Sequence, residues 1–213
     1  RDELQTLVLC GALDVFHPNR REMLWAIPRA LEYAKAYENS KKSHDILPIS
    51  MPIPPIPEGV SDFNDAERAI YERAILGMDI QNHLMAFERD RITARGGITA
   101  REIQSMKGGD EVFVVGNPIR LRFPPTASGK RVVFFDLEDE TGLLNVTCFD
   151  KTYQKDGHAI ICSQYVTVRG RVQIREDHVA FLAERVYPYR PKLLDAVSTA
   201  AALPIGMADF LVG

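Results

Sequence analysis

The chain has 213 residues, of which 46% are hydrophobic and 26% charged, and its formal net charge is −3 at pH 7. This composition is that of an ordinary globular protein, and the small negative charge excludes a broadly basic nucleic-acid coat. Any nucleic-acid binding must therefore come from a local patch. No apolar run reaches the roughly eighteen residues of a membrane helix, and no basic segment followed by an apolar one marks a signal peptide. We expect a cytoplasmic protein without membrane contact.

The first residues of the chain and the spacing of its cysteines allow two further expectations. The chain begins Arg1-Asp2-Glu3 without Met, so we expect a fragment or a processed chain. Three cysteines, Cys10, Cys148 and Cys162, lie far apart without a C-x-x-C pair. This spacing supports neither a zinc knuckle nor a disulfide framework, and reduced, buried thiols are predicted.

Residues 1–38 are predicted to form a helix, a tight connection and a second helix. The first apolar periodicity stops at Gly11, a residue typical of helix ends. Asn19 and Glu22 have the spacing of a capping box for the second helix, in which Trp25 is expected to pack into the core.

Two arginines, Arg20 and Arg21, begin this second helix. Because the N-terminus of a helix favours anions, they are candidates for contacts to the phosphates of a nucleic-acid backbone. A solvated, charged turn is an equally open interpretation.

A Pro-rich segment, residues 39–60, separates this region from the next. Its five prolines, at positions 48, 52, 54, 55 and 57, exclude a helix or a central strand and predict an extended linker. Residues 61–109 are predicted to be a helical connector. Capping boxes are indicated at Asn64 with Glu67, and at Thr99 with Glu102.

Residues 110–189 change to a period of two, which predicts strands. Five strands are expected, with tight hairpins at "ETG" and "REDH" and the longest connection, with room for a turn of helix, between the third and fourth. This is the plan of an OB-fold, a small Greek-key barrel. Gly116 and Gly170 fall inside strands, where a barrel needs a bend or a close approach. An Ala-rich tail, 190–213, with one short helix follows. The predicted fold class is α+β, a helical region plus a five-stranded OB-fold β-barrel.

The candidate binding residues follow from this fold. An OB-fold binds oligonucleotides on strands two and three, flanked by the first-to-second and fourth-to-fifth loops. Alternation assigns these side chains to the interior: Val133, Phe135, Leu137, Leu144, Val146 and Cys148. The candidates outside are Arg120, Arg122, Phe123, Lys130, Arg131, Phe134, Arg169, Arg171, Arg175 and His178. Cations beside exposed rings suit single-stranded nucleic acid, since stacking contributes about 1–3 kcal/mol per base.

The acidic run "DLEDE", residues 136–140, argues against strong binding at this face. Such a surface would bind weakly and release its ligand as salt rises, so protein contact and a pure scaffold remain open. The run does not predict a metal site, because no second cluster completes a ligand shell. We find no nucleophile elbow, P-loop or zinc-protease motif. The segment is therefore expected to carry no catalytic residue.

Three segments together resemble one family, the bacterial C-family DNA polymerases. "LVLCGALDVFHPNRREMLW" resembles the family's helix-hairpin-helix region, and "ERAILGMDIQNHLMAFERDRI" is similar to a following segment, with Leu84 where the family has Pro. "GGDEVFVVGNPIRLRFPPTASGKRVVFFDLEDETGLLNVTCFDKTY" is similar to its OB domain, with Phe123 in place of Gln. The order agrees over most of residues 4–187, and the Pro-rich linker matches the error-prone branch.

This resemblance implies a non-catalytic C-terminal region of a polymerase III α-type subunit, with catalytic carboxylates and Mg²⁺ only upstream. It implies a grip on the duplex backbone of primer-template DNA through the helix-hairpin-helix end, and guidance of single-stranded DNA through the barrel. Two alternatives stay open. One is a docking module for a clamp or accessory polymerase proteins, and the other is an unrelated RNA-binding OB protein.

Overall fold

The computed structural model describes residues 1–42, 55–56, 58–127, 129–175 and 178–194. The chain divides into two compact units, Arg1–Gln81 and Asn82–Gly213. Most of the predicted Pro-rich linker and the predicted tail helix lie outside the described residues. No helix within the described ranges has the length and apolar character needed to cross a bilayer.

The first unit, called here the helical unit, contains three helices. These are α1 (Asp2–Leu9), α2 (Arg20–Lys42) and α3 (Asp65–Leu76). Their core includes the buried side chains of Val8, Met23 and Ile27. The predicted capping box at the start of α3 is confirmed, because Asn64 and Glu67 each accept a hydrogen bond of 2.9 Å from the other's backbone N–H. The prediction for Trp25 is wrong: its side chain is 69% exposed, on a face of α2 turned away from this core.

The second unit, called here the barrel unit, begins with short helical turns and continues into strands. The helical elements are a 3₁₀ turn (Leu84–Glu88), α4 (Arg89–Thr93), α5 (Ala100–Ile103) and α6 (Asp150–Cys162). The strands are β1 (Glu111–Arg122), β2 (Val132–Asp139), β3 (Gly142–Phe149), β4 (Val166–Arg175) and β5 (His178–Pro188). The predicted capping box of Thr99 and Glu102 at α5 is also confirmed. Helix α6 has 13 residues, longer than the single turn expected there.

The five strands close into a barrel in the order β1-β2-β3-β5-β4. All neighbouring pairs are antiparallel except β3 with β5, which run parallel. This is the predicted OB-fold, with a helix inserted between the third and fourth strands. The α+β prediction is therefore confirmed.

Alternating side chains fill the barrel as the sequence predicts. All six interior assignments are 0% exposed: Val133, Phe135, Leu137, Leu144, Val146 and Cys148. Ile103 of α5 and Ile160 of α6 join the same apolar cluster. At Gly116 a Cβ atom would lie 2.4 Å from the carbonyl oxygen of Glu138, so the close approach of β1 to β2 requires glycine.

The thiols differ in their surroundings. Cys148 is buried in the barrel, and burial raises the pKa of its thiol to about 12. Cys162 is the last residue of α6 and is exposed. The prediction of buried thiols is therefore wrong for Cys162, because the end of this helix faces solvent.

Candidate nucleic-acid interface

The outer surface of β1, β2 and β3 carries two cross-strand rows of side chains, called here the strand face. The rows are Arg122–Phe134–Thr147 and Ile119–Asp136–Asn145. Directly paired residues point to the same side of a sheet. The alternation that buries Val133 and Phe135 therefore presents these rows outward, and Phe134 lies among them half-buried.

Asp136 lies in the middle of the strand face between two arginines. Its carboxylate is 3.5 Å from the guanidinium of Arg120 and 3.7 Å from that of Arg122. It also accepts a hydrogen bond of 3.2 Å from the amide of Asn145. The side chains of Arg120 and Arg122 stay 65% and 61% exposed. Asp136 therefore orients two guanidinium groups that still face solvent, where a phosphate can reach them.

The loop between β1 and β2 adds aromatic surface next to these arginines. Phe123 is 49% exposed, and its ring meets the ring of Tyr153 in α6 edge-on at 6.0 Å. The guanidinium of Arg131 lies over the Tyr153 ring, 5.3 Å from its centre. The backbone N–H of Arg131 donates to Asp150 at 3.1 Å. The side chain of Lys130 is exposed in the same loop.

The acidic run that argued against nucleic-acid binding is largely engaged inside the protein. Asp139 accepts hydrogen bonds of 2.7 Å from the backbone N–H of Ala100 and 2.8 Å from that of Thr141. Glu140 binds the guanidinium of Arg89 at 2.5 Å. Burial alone would lower the pKa of Arg89, but Glu140 and Asp139 together raise it. These carboxylates are therefore neutralised locally and repel a phosphate backbone little.

The comparisons with known proteins agree with this geometry. Residues 112–189 match the family described as "OB-fold nucleic acid binding domain". The error-prone DNA polymerase of Symbiobacterium thermophilum is 35% identical over 202 residues, covering 87% of this chain. That of Mycolicibacterium paratuberculosis is 30% identical over 187 residues, covering 86%. This chain is a homologue of a segment of the error-prone DNA polymerases. It spans 19% and 16% of the length of these two relatives.

Two solved structures are similar to part of this chain. The N-terminal domain of PriB protein from Thermoanaerobacter tencongensis is 19% identical, with a TM-score of 0.33 over 38% of this chain and 98% of that chain. The mitochondrial single-stranded DNA binding protein Rim1 from S. cerevisiae is 11% identical, with a TM-score of 0.31 over 39% of this chain and 98% of that chain.

In the helical unit, one predicted phosphate contact is wrong. Arg20 is 1% exposed, and its guanidinium binds Asp14 and Glu72, each at 2.8 Å, and the carbonyl oxygen of Leu9 at 3.0 Å. A guanidinium enclosed in this way cannot meet a phosphate. Arg21 is 35% exposed and binds Glu67 at 3.0 Å, with its guanidinium 4.4 Å from the centre of the Phe63 ring. Both arginines organise the helical unit.

The two arginines of β4 lie apart from the strand face. In the closed barrel β4 pairs with β1 and β5, and not with β2 or β3. Arg169 is 65% exposed and lies 4.0 Å from Glu111. Arg171 forms ion pairs with Glu111 and with Glu184. The structure therefore separates these residues from Arg122, and they belong to a second surface. The side chains of Arg175 and His178 lie outside the described part of the structure.

Sequence reasoning missed Tyr153, which joins Phe123 and Arg131 into one cluster. The sequence does show an aromatic residue soon after the third strand, but it lies in a segment that was interpreted only as a connection between strands.

Among the residues that the structure describes, no three His, Cys, Asp or Glu side chains group as a metal site. That this segment carries no cofactor of its own stays a prediction.

Proposed function

We propose that this segment binds single-stranded DNA along the strand face, as part of a longer error-prone DNA polymerase. Phosphates lie near Arg120, Arg122, Lys130 and Arg131, and bases stack on Phe123 and Phe134. One observation carries the proposal: the exposed guanidinium groups of Arg120 and Arg122 both lie beside Asp136 on the binding face of an OB-fold, and the exposed Phe123 follows Arg122 directly in the chain. The description of the matching family as nucleic acid binding supports it.

The test is fluorescence anisotropy with a labelled oligo-dT strand at low salt. We compare the unmodified chain with a triple variant, Arg122→Ala, Lys130→Ala and Arg131→Ala. If these cations contact phosphates, affinity falls at least about tenfold, and the slope of log K against log salt becomes shallower by about 2, which is about 0.7 for each of three lost contacts.

The matched control is a second triple variant, Arg29→Ala, Lys35→Ala and Lys192→Ala. It removes the same charge at exposed positions that do not belong to the strand face. An equal loss in both triples would reduce the effect to net charge and contradict a defined site. A preference for RNA over DNA of the same sequence would favour the unrelated RNA-binding module instead.

The activity of the longer protein follows from the names of its relatives and is part of the proposal. It synthesises DNA in the cytoplasm with Mg²⁺ held by carboxylates outside this segment, while the helical unit grips the duplex backbone of the primer-template. Removal of this segment from the full-length polymerase should then reduce primer extension by weakening DNA binding. Unchanged extension would contradict the role.

A docking role is the second candidate, favoured by exposed apolar side chains of the helical unit. Val15 is 85% exposed, Phe16 79% and Trp25 69%, all unusual for large apolar groups on a free surface. A sliding clamp or an accessory polymerase protein would cover them. Size-exclusion chromatography with the purified clamp tests this: a complex that forms with the chain and is lost with Phe16→Ala plus Trp25→Ala supports docking, and one unaffected by the double variant excludes this surface.

A further inference from the structure

The barrel unit has a second concave surface, on the outer side of β1, β4 and β5. A cavity of about 270 Å³ opens there, close to the lower limit of ligand pockets, roughly 300 Å³. Two cross-strand rows build it, Phe113–Arg169 and Val115–Thr167–Tyr187. We call it the tyrosine pocket. The pocket uses Phe113 and Val115, in the half of β1 that pairs with β4, whereas the strand face uses Ile119 and Arg122, in the half that pairs with β2, so the two surfaces are separate.

The walls of the tyrosine pocket are held in place by the helical turns before the barrel. Ile92 of α4, which is 2% exposed, lines the pocket together with Phe113. The backbone N–H of Ile98 donates to the carbonyl oxygen of Phe113 at 3.1 Å. At Gly97 a Cβ atom would lie 2.7 Å from the Phe113 ring and 2.5 Å from Ile92. This close packing leaves Phe113 little freedom, so this wall of the pocket is preformed.

The charge of the lining is positive. Three arginines line the pocket, and no carboxylate is among its lining residues. Within the described residues, the side chain of Arg95 has no hydrogen-bond or ion-pair partner. Arg169 has one distant contact, 4.0 Å to Glu111. Arg91 binds Glu88 at 2.6 Å, but its buried Nε has no partner in the described part of the chain. The pocket therefore favours an anion.

Aromatic rings supply half of the remaining six lining residues, Phe113, Tyr187 and Tyr189. Tyr187 is 43% exposed, with the guanidinium of Arg185 4.8 Å from its ring centre. The guanidinium of Arg91 lies over the ring of Tyr189, 5.2 Å from its centre, and the hydroxyl of Tyr189 donates a hydrogen bond of 2.8 Å to Glu88. A ligand that suits both an exposed ring and the exposed guanidinium groups of Arg95 and Arg169 has a flat aromatic part joined to an anion.

We propose that the tyrosine pocket binds a nucleoside 5′-phosphate unit, with its base against Tyr187 and its phosphate between Arg95 and Arg169. The unit is one unstacked nucleotide of a single strand, or a free nucleotide with the same chemistry. This inference rests on the proposed function, because a strand on the outside of the same barrel supplies such a unit. The size of the cavity suits a ligand of about one nucleotide.

The first experiment asks whether a base touches Tyr187. The full chain is photo-crosslinked to a 5′-phosphorylated oligo-dT strand carrying 5-iodo-deoxyuridine, and the crosslinked peptides are identified by mass spectrometry. A crosslink at Tyr187 that is lost in Arg95→Ala supports the pocket. Crosslinks confined to Phe123 and Phe134, with unchanged strand affinity in Arg95→Ala, would overturn it while leaving the proposed function intact.

The second experiment distinguishes a DNA strand from a free nucleotide as the ligand, and the tyrosine pocket from the strand face as the binding site. Thymidine 5′-monophosphate is titrated into the chain and followed by NMR, with Tyr187→Leu and Arg95→Ala expected to weaken binding at least fivefold and Tyr187→Phe to retain it. The strand-face triple variant should leave this titration unchanged. Oligo-dT that binds at least tenfold more tightly than the monophosphate identifies a strand as the source, and equal affinity identifies the free nucleotide.

Other outcomes are equally decisive. If oligo-dT does not bind but the monophosphate still shifts Tyr187, the strand-binding function fails while the nucleotide pocket stands. If the monophosphate causes no shift near Tyr187, the pocket proposal is rejected. If a short peptide of aspartate and phenylalanine displaces the monophosphate and binds more tightly, the occupant is an acidic peptide, which also rejects it.

Discussion

The carboxylate of Asp139, the last residue of β2, accepts a hydrogen bond of 2.7 Å from the backbone N–H of Ala100, the first residue of α5. The same side chain is fully buried and lies 3.3 Å from the guanidinium of Arg89. One acidic residue thus joins the helical turns 82–109 to the barrel. These turns also form a wall of the tyrosine pocket.

Removal of this carboxylate should destabilise the barrel unit. Asp139→Ala leaves the backbone N–H groups of Ala100 and Thr141 without their acceptor and takes one charge from Arg89. We expect the free energy of unfolding to fall by about 3 kcal/mol, measured by urea denaturation with circular dichroism. Glu138→Ala, one residue earlier in the same strand, is the control and should change the free energy of unfolding by less than about 0.5 kcal/mol. Similar values for the two variants would contradict a structural role for Asp139.

The close approach at Gly116 is a second test of the barrel. In Gly116→Ala the new Cβ meets the carbonyl oxygen of Glu138 at 2.4 Å, a backbone atom that cannot move alone. We expect a loss of roughly 1–3 kcal/mol in the free energy of unfolding, measured by thermal or urea denaturation. Gly108→Ala is the matched control, because its Cβ would have only ordinary contacts, the nearest at 3.6 Å from Ile174. Equal stability of the two variants would show that β1 and β2 separate easily at this point.

The barrel could be predicted from sequence because its signals are local. Alternation within β2 and β3 assigns each side chain to a face without knowledge of the rest of the chain. The capping boxes at α3 and α5 depend on residues three positions apart, and both are confirmed. The same locality explains why Asp139 was misread: its partner Ala100 lies 39 residues away, so the run "DLEDE" looked like free surface charge.

The parts that were missed depend on long-range pairing. Arg20 looked like a phosphate contact because it begins a helix, but its partner Glu72 is 52 residues away. The tyrosine pocket draws its lining from α4, β1, β4 and β5, none of which carries a motif. Arg169 is predicted as a nucleic-acid contact on the fourth strand, and the separation of that strand from β2 and β3 is not visible in the alternation of any one strand.

The buried ion pairs of Arg20 should be essential to the helical unit. In Arg20→Ala, the carboxylate of Glu72, whose side chain is 2% exposed, stays buried without its cation. We expect the free energy of unfolding of the helical unit to fall by roughly 3–5 kcal/mol, and hydrogen–deuterium exchange across Arg1–Gln81 to become faster. Arg20→Lys should restore only part of the lost stability, because an ammonium group cannot bind Asp14 and Glu72 together as the planar guanidinium group does. Arg29→Ala, an exposed position of the same helix, is the control. Normal exchange in Arg20→Ala would contradict a stabilising role for these ion pairs.

The stability of the barrel unit should fall in acid through Asp156 of α6. Burial alone would raise the pKa of this carboxyl, but the guanidinium of Arg185 at 2.8 Å and the backbone N–H of Val186 at 2.9 Å hold it below its ordinary value. The unfolded chain therefore takes up a proton at higher pH than the folded chain, so this stabilisation is complete above the unfolded pKa, about 3.9, and is lost as pH falls through the folded pKa. The free energy of unfolding should begin to fall near pH 5, about one unit above that value.

The measurement is urea denaturation of the full chain at a series of pH values between about 6 and 3. Asp156→Asn keeps an oxygen that can accept from Val186 but cannot lose a proton, so its free energy of unfolding should be lower at neutral pH and should fall less steeply in acid. Asp150→Asn is the control on the same helix, since Asp150 accepts from the backbone of Arg131 in an exposed position. If the acid dependence of Asp156→Asn matches that of the unmodified chain, the link between α6 and β5 is not the source of the acid sensitivity.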